Sequence, residues 1–193
     1  MMAAATTTTT EKLPLTWHLN RAGMSNDLVA ELAKECAGLA PLGSGRQFLG
    51  VFPWNELPTG DIVRAARGTE QGEEEEGRKV SFIVNIGGHF VSVVVGRRSV
   101  IYIDSFAAPL LRAEVSALFS RLQRDAKYAR TVYVNQRQIQ SLSSTFCGMY
   151  AVLFSLWYLV DPSRRPKQVF HDKSLARNDK LCLAYLKEMI GAE

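Results

Sequence analysis

From Gly148 to Leu159 the chain runs through Met149, Tyr150, Ala151, Val152, Leu153, Phe154, Ser155, Leu156, Trp157 and Tyr158 without one charged side chain. A helix that is apolar all round has no face to offer water, so other elements must enclose it. The run is too short to span a bilayer, and Ser155 interrupts it. It is therefore expected to be the central buried helix of a globular domain. A chain of 193 residues suffices for one compact domain of this kind and not for two.

The elements that would wrap this helix are legible in outline. Leu28, Leu32 and Cys36 repeat at helical spacing, with Asn26 as the expected cap and Gly38 as the expected stop. A Pro/Gly-rich stretch over 41–50 leads into the aromatic segment 48–54, expected to be irregular or briefly extended. Residues 61–67 read as a short helix. Residues 68–79, with four consecutive glutamates at 73–76 and no apolar side chain, read as a solvated loop. Strands are expected at 80–86, 90–95, 99–103 and 131–134. Residues 110–128 and 179–190 read as amphipathic helices, the first with Leu111, Val115, Leu118, Phe119 and Leu122 on its apolar face. Pro162 and Pro166 break the chain between the core helix and the last one. The order predicts an α+β domain, a mixed sheet packed by helices, over residues 17–193, behind a disordered lead-in over 1–16. That lead-in has neither the basic start nor the apolar core of a secretory signal.

Cys147 stands where the core helix begins. Unpaired backbone N–H groups and the helix dipole favour an anion there, which lowers a thiol pKa and supplies thiolate near neutral pH. Cys36 and Cys182 fall on apolar helix faces and fit inert core residues. Three cysteines make no disulfide framework, and no Cys/His spacing suggests zinc or another metal. A reducing compartment, cytosol or nucleus, is expected.

Of three histidines, His18 and His171 lie in segments that read as surface. His89 sits between a Gly87-Gly88 turn and the strand 90–95. A histidine at a strand start is commonly a surface residue in its own right. Asp104 closes the strand 99–103. If those two strands pair through the 96–98 turn, His89 and Asp104 share one end of adjacent strands. The carboxylate is then expected to accept the Nδ1 proton of His89, fixing the tautomer and stabilising imidazolium beside a thiolate. Gln140, on the polar loop before Cys147, is a candidate side-chain donor to an oxyanion, alongside the Cys147 backbone N–H.

The segments Gly88-His89-Phe90, Tyr102 to Phe106 and Gln140-x6-Cys147-Gly148 resemble those of the adenovirus maturation protease, adenain, within the wider clan of ubiquitin-like-protein (SUMO-type) proteases. Leu28 to Cys36, Phe48-Leu49-Gly50, His89, Asp104, Gln140 and Cys147-Gly148 follow the order of adenain-like chains over roughly residues 24–160. The Gln-to-Cys spacing resembles the adenain branch; the SUMO-protease branch is one residue shorter there, with an aspartate where this chain has Phe146. Asp104 stands where adenain has glutamate, and Phe90 where a tryptophan often follows the histidine.

That resemblance implies a thiol endopeptidase, virus-encoded, cleaving capsid or core precursors during particle maturation in the host nucleus and the virion. It also implies a peptide or DNA activator. A disulfide-tethered peptide is not expected, because the aligned position, about Ala129, is not a cysteine. No cofactor is needed for the chemistry itself, and a monomer without membrane contact is expected. The clan also implies an alternative, an isopeptidase for ubiquitin-like proteins, and a catalytically silent scaffold is a third reading. A formal charge of +4 is spread over Arg97, Arg98, Arg121, Arg124, Lys127, Arg130, Arg137, Arg164, Arg165 and Lys167. A solvated surface and a DNA-contacting face account for it equally well.

Overall fold

A computed structural model of the chain describes residues 24–39, 42, 45–67, 78–108, 113–124, 130–160, 169–170 and 173–189. The expected lead-in, the glutamates at 73–76, the prolines at 162 and 166, His18, His171 and the basic residues at 127, 164, 165 and 167 lie outside them.

In chain order the elements are α1 (Asn26–Leu39), β1 (Arg46–Pro53), a 3-10 turn (Trp54–Glu56), α2 (Thr59–Arg67), β2 (Lys79–Asn85), β3 (Phe90–Gly96), β4 (Ser99–Ile103), α3 (Ala113–Gln123), β5 (Thr131–Val134), α4 (Cys147–Val160) and α5 (Leu175–Met189). The strands form one sheet in the order β1-β2-β3-β4-β5. β1 runs parallel to β2 and β4 parallel to β5, while the β2/β3 and β3/β4 pairs are antiparallel. This is the mixed α+β sheet the element order predicts.

Strand alternation divides the core in two. Phe82, Val84, Val91, Val93, Val95, Val100 and Tyr102 pack on one face against Ile62 and Val63 of α2 and Val115, Leu118, Phe119 and Leu122 of α3. Ile83, Phe90, Val94 and Ile103 face the other way, onto α4, with α1 and α5 beyond it. Every residue of β3 is buried, and so are residues 148–159 of α4. The all-apolar helix thus lies where its composition requires. Its buried Ser155 pairs with Ser92 of β3 at 2.8 Å.

One local expectation is narrowed and two are corrected. Of the two alternatives for 48–54 the extended one holds: most of the segment belongs to β1, paired with β2. Gly50, at φ +130°, sits in a bulge where the register moves from Phe48↔Ser81 to Val51↔Ile83, and this breaks the alternation that marks a strand. Helix α1 is capped by Ser25, whose Oγ accepts the Leu28 N–H at 3.3 Å, and it continues through Gly38. Arg130 is not part of a basic surface. It is 3% exposed and donates to the carbonyls of Gly96 (2.9 Å), Leu122 (3.2 Å) and Ala66 (3.3 Å), tying the ends of α2 and α3 to β3.

Candidate active site

Cys147 is the first residue of α4 and is half-buried. Amides in the first turn of a helix have no partner within the helix, so they face whatever lies before it. The neighbouring position has to be glycine. A Cβ on Gly148 would stand 2.7 Å from Cγ2 of Val29 and 3.4 Å from Sδ of Met24. Helix α1 therefore crosses the start of α4 directly behind the thiol.

His89 is delivered by the β2–β3 turn. Gly87 and Gly88 hold φ of +94° and +90°, which side chains with a Cβ rarely adopt. Asn85 Oδ1 accepts both their N–H groups, at 3.0 and 2.7 Å, and the His89 carbonyl accepts from Ile86 N–H at 2.8 Å. Asn85 Nδ2 donates to Asn26 Oδ1 at 2.5 Å, so the histidine turn is tied to the start of α1.

Asp104 is fully buried at the end of β4. Its Oδ1 lies 2.7 Å from His89 Nε2 and accepts the Phe106 N–H at 2.8 Å. The turn closes through Ala107 N–H to the Asp104 carbonyl at 2.9 Å, with Ala107 held at φ +54°. A non-glycine residue in that region stores strain that surrounding contacts must hold. The turn also sets Phe106 in a stack on the imidazole, with centroids 4.9 Å apart and planes inclined by 27°. Phe106, not Phe90, covers the ring; Phe90 is buried in the core beneath.

The orientation of the ring corrects one expectation. Nε2, not Nδ1, meets the carboxylate. Nδ1 is buried, closes no hydrogen bond that meets ordinary geometry, and is the nitrogen left for Cys147. The thiol and the ring still shift each other's pKa, the thiol's downward and the ring's upward. An open contact of this kind is common at catalytic pairs before substrate tightens them.

Electrostatics separates this thiol from the other two. Burial by itself would raise the Cys147 pKa. Hydrogen bonds from His89 and from the Phe90 and Gly148 backbone N–H groups, with the His89 charge, outweigh it, and the pKa is lowered. Burial likewise acts to lower the His89 pKa, but hydrogen bonding and charge from Asp104 and Cys147 prevail and push it up to about 9. Thiolate beside imidazolium is the favoured pair. Burial pushes the Cys36 thiol up to about 12 and raises Cys182 as well, so both are held neutral in the core.

Gln140 is fully buried, and both ends of its amide are engaged. Oε1 accepts from Ser105 Oγ at 2.5 Å, and Nε2 donates to the Ser144 carbonyl at 2.8 Å, with Ser144 Oγ at 3.3 Å. Its own N–H and that of Ile139 bond the Ser105 carbonyl at 3.1 and 2.9 Å. The glutamine is thus placed next to the turn that carries Asp104, but it does not open onto solvent. Two residues that the sequence did not single out also enter the site. Asn135 brackets the backbone of Asp104, and Phe106 covers His89. Phe106 closes the Tyr102–Phe106 segment, where its aromaticity was the available signal; Asn135 offered none. Among the described residues no group of His, Cys, Asp or Glu side chains is arranged to hold a metal ion. No helix among them is long and apolar enough to cross a membrane.

No protein-family model and no curated protein matches the sequence. Solved structures do match. The ASFV pS273R protease superposes with a TM-score of 0.58 at 15% identity, over 91% of this chain and 70% of that one. The Chlamydia trachomatis effector protein ChlaDUB1 gives 0.55 at 15%, over 92% and 88%. The Ulp1-like SUMO protease catalytic domain of Chaetomium thermophilum gives 0.53 at 16%, over 91% and 74%. The chain has the fold of the Ulp1-like cysteine proteases. At identities this low the likeness fixes the fold, and the chemistry has to be argued from the side chains.

Proposed function

We propose that the chain is a cysteine peptidase in which Cys147 is the nucleophile, His89 the acid–base and Asp104 the orienting acid. The observation that carries this reading is the 2.7 Å contact of His89 Nε2 with buried Asp104 Oδ1, on a ring that also lowers the pKa of a thiol at a helix start. The Cys147 thiolate attacks the scissile carbonyl and forms a C–S bond. The oxyanion meets the Cys147 backbone N–H, and Gln140 joins it by exchanging the Ser144 acceptors of its Nε2 for the oxyanion. His89 imidazolium gives its Nδ1 proton to the departing amine as the C–N bond breaks. Neutral His89 then takes a proton from water, hydroxide displaces the thiolate from the thioester, and the ion pair is restored. Every proton moved is carried by His89, so this chemistry requires no metal or prosthetic group.

Within that class we read the chain as an adenain-type endopeptidase, virus-encoded, acting as a monomer on capsid or core precursors in the nucleus and the virion. The support is the motif order and the Gln140-to-Cys147 spacing. Contact with DNA is an accessory reading that rests on Arg98, Arg121, Arg124 and Arg137, all exposed, and no longer on Arg130. The second reading, a deconjugating isopeptidase, draws support from neighbours described as a SUMO protease and as ChlaDUB1.

Hydrolysis of a peptide library tests the class: it should vanish in Cys147→Ala and His89→Ala and persist in Cys36→Ala and Cys182→Ala. Electrophilic probes built on ubiquitin and on SUMO separate the two readings, since only an isopeptidase is labelled by them at Cys147.

A further inference from the structure

The backbone around Gln140 is fixed from several elements. The Ser105 carbonyl accepts the Gln140 N–H at 3.1 Å and the Ile139 N–H at 2.9 Å. The Gln140 carbonyl accepts from Gln138 Nε2 at 2.8 Å. The Ile139 carbonyl, on the peptide unit that ends in the Gln140 N–H, accepts from Asn178 Nδ2 of α5 at 3.1 Å and from Tyr150 Oη of α4 at 3.3 Å. None of these bonds involves the Gln140 side chain, so they leave open how its amide is aimed.

Different partners hold the two ends of that amide. Nε2 donates to the Ser144 carbonyl at 2.8 Å, with Ser144 Oγ at 3.3 Å. A carbonyl oxygen accepts only, so this end has to be the nitrogen, and Oε1 is left facing Ser105 Oγ at 2.5 Å. Oε1 is an acceptor too, so the serine hydroxyl donates. In the chemistry above Nε2 releases Ser144 and turns its N–H to the oxyanion. Ser105 Oγ still holds the other end of the amide at that moment. A hydrogen bond received at Oε1 draws electron density from the amide nitrogen, and bonds in such a chain strengthen one another. The gain is largest where negative charge builds on the substrate oxygen, in the transition state more than in the ground state.

Ser105 directly follows Asp104, and both are buried. One turn, closed by the Ala107 N–H on the Asp104 carbonyl, therefore carries the acid that meets His89 and the hydroxyl that meets Gln140. We infer that Ser105 is a positioning residue for the oxyanion side of this site, acting through Oε1 of Gln140 and not through Asp104 on the Cys147–His89 pair. The inference rests on the peptidase reading above, with Gln140 as an oxyanion donor.

Ser105→Ala removes the hydroxyl alone. The Ser105 carbonyl keeps both its N–H partners, and Asn178, Tyr150 and Gln138 keep their hold on the backbone around Gln140. The test is a double-mutant cycle on the full chain with a peptide that the wild type hydrolyses, alongside alkylation of Cys147 by iodoacetamide against pH. Alkylation needs a thiolate and no oxyanion donor, so it reports the Cys147–His89 pair and any disturbance of Asp104 behind it. Gln140→Ala should lower kcat by about 10²-fold, the range for losing one oxyanion donor. Ser105→Ala should lower kcat roughly tenfold with KM little changed, about what one neutral hydrogen bond contributes. In the Gln140→Ala background the same change should alter kcat by less than about twofold, because residues acting through one group are not additive. Alkylation rates should stay within about twofold of wild type in all three variants, with the Cys147 midpoint unmoved. Full kcat in Ser105→Ala or in Gln140→Ala, an equal fold-loss in both backgrounds, or a shifted alkylation midpoint would each overturn the inference. If Ser105→Ala fails to fold, Ser105→Gly takes its place in the cycle with the same expected pattern. A wild-type chain that is alkylated at Cys147 yet hydrolyses no peptide or ubiquitin-like probe would instead refute the peptidase reading, and the inference with it.

Discussion

The side-chain amide of Asn135 makes to Asp104 the two hydrogen bonds that a neighbouring strand would make. Its Oδ1 accepts the Asp104 N–H at 2.8 Å and its Nδ2 donates to the Asp104 carbonyl at 2.7 Å. β5 ends at Val134, and pairing with β4 continues for one more residue through a side chain. The acid is therefore fixed from two directions, by Asn135 on its backbone and by Phe106 N–H on its carboxylate.

Replacing Asn135 by Ala leaves the Asp104 N–H without its partner, while the Asp104 carbonyl keeps only the Ala107 N–H. Stability should fall by about 1–3 kcal/mol, the usual cost of orphaned buried polar groups. The variant should also lose kcat with KM nearly unchanged, since the carboxylate moves relative to His89. Urea denaturation and steady-state kinetics check the two effects separately.

The pH profile follows from the pair. Thiolate–imidazolium forms as pH rises through the Cys147 pKa, which lies below the ordinary thiol value of 9.0, and is lost as His89 deprotonates near about 9. Coupled groups titrate as a pair, so the two limbs belong to both residues together. Asp104→Asn removes a charge and an acceptor that favour imidazolium. Its basic limb should shift to lower pH, toward the histidine value of 6.5, with kcat reduced across the range. A basic limb that stays near about 9 in kcat/KM measurements would show that Asp104 does not hold the imidazolium.

Gly148→Ala drives a methyl group to 2.7 Å from Val29 Cγ2. Overpacking of this kind costs about 1–3 kcal/mol, and here it pushes on the residue beside the nucleophile. The variant should be less stable and slower. Adding Val29→Ala opens the contact and should restore part of the kcat lost in Gly148→Ala, although alone it leaves a cavity in the core. Thermal melts and kcat of the single and double variants measure the coupling.

Phe106→Ala removes the ring stacked on His89 while keeping the backbone N–H that holds Asp104. Water then reaches the imidazole, and its rotamer is less confined. A modest loss of kcat, about tenfold or less, is expected with the fold intact by circular dichroism.

Much of this architecture was readable because its signals are local. The charge-free run of α4 demanded burial, and the hairpin between β3 and β4 put His89 and Asp104 at one end by counting residues alone. β1 was not readable as a paired strand, since the Gly50 bulge shifts its alternation halfway along. The ring nitrogen facing Asp104 depends on how the 86–89 turn aims the side chain in three dimensions, and no pattern of neighbours encodes that. Asn135 lies 31 residues from Asp104, and Ser105 lies 35 from Gln140. Such residues acquire meaning only when the chain has folded, and until then they read as a polar residue after a strand and a serine in a turn. The burial of Arg130 was hidden for the same reason, because carbonyls from three separate elements satisfy it.

The central claim is that Cys147 is ionised by its place against His89 at the start of α4. The most direct measurement is the rate of iodoacetamide alkylation of each cysteine against pH, read by mass spectrometry in the native wild-type chain and in His89→Ala. Modification should be fast at Cys147 with a midpoint below 9.0 and slow at Cys36 and Cys182, and the Cys147 midpoint should rise when His89 is removed. A Cys147 midpoint at or above that of an ordinary thiol, unchanged in His89→Ala, would contradict it.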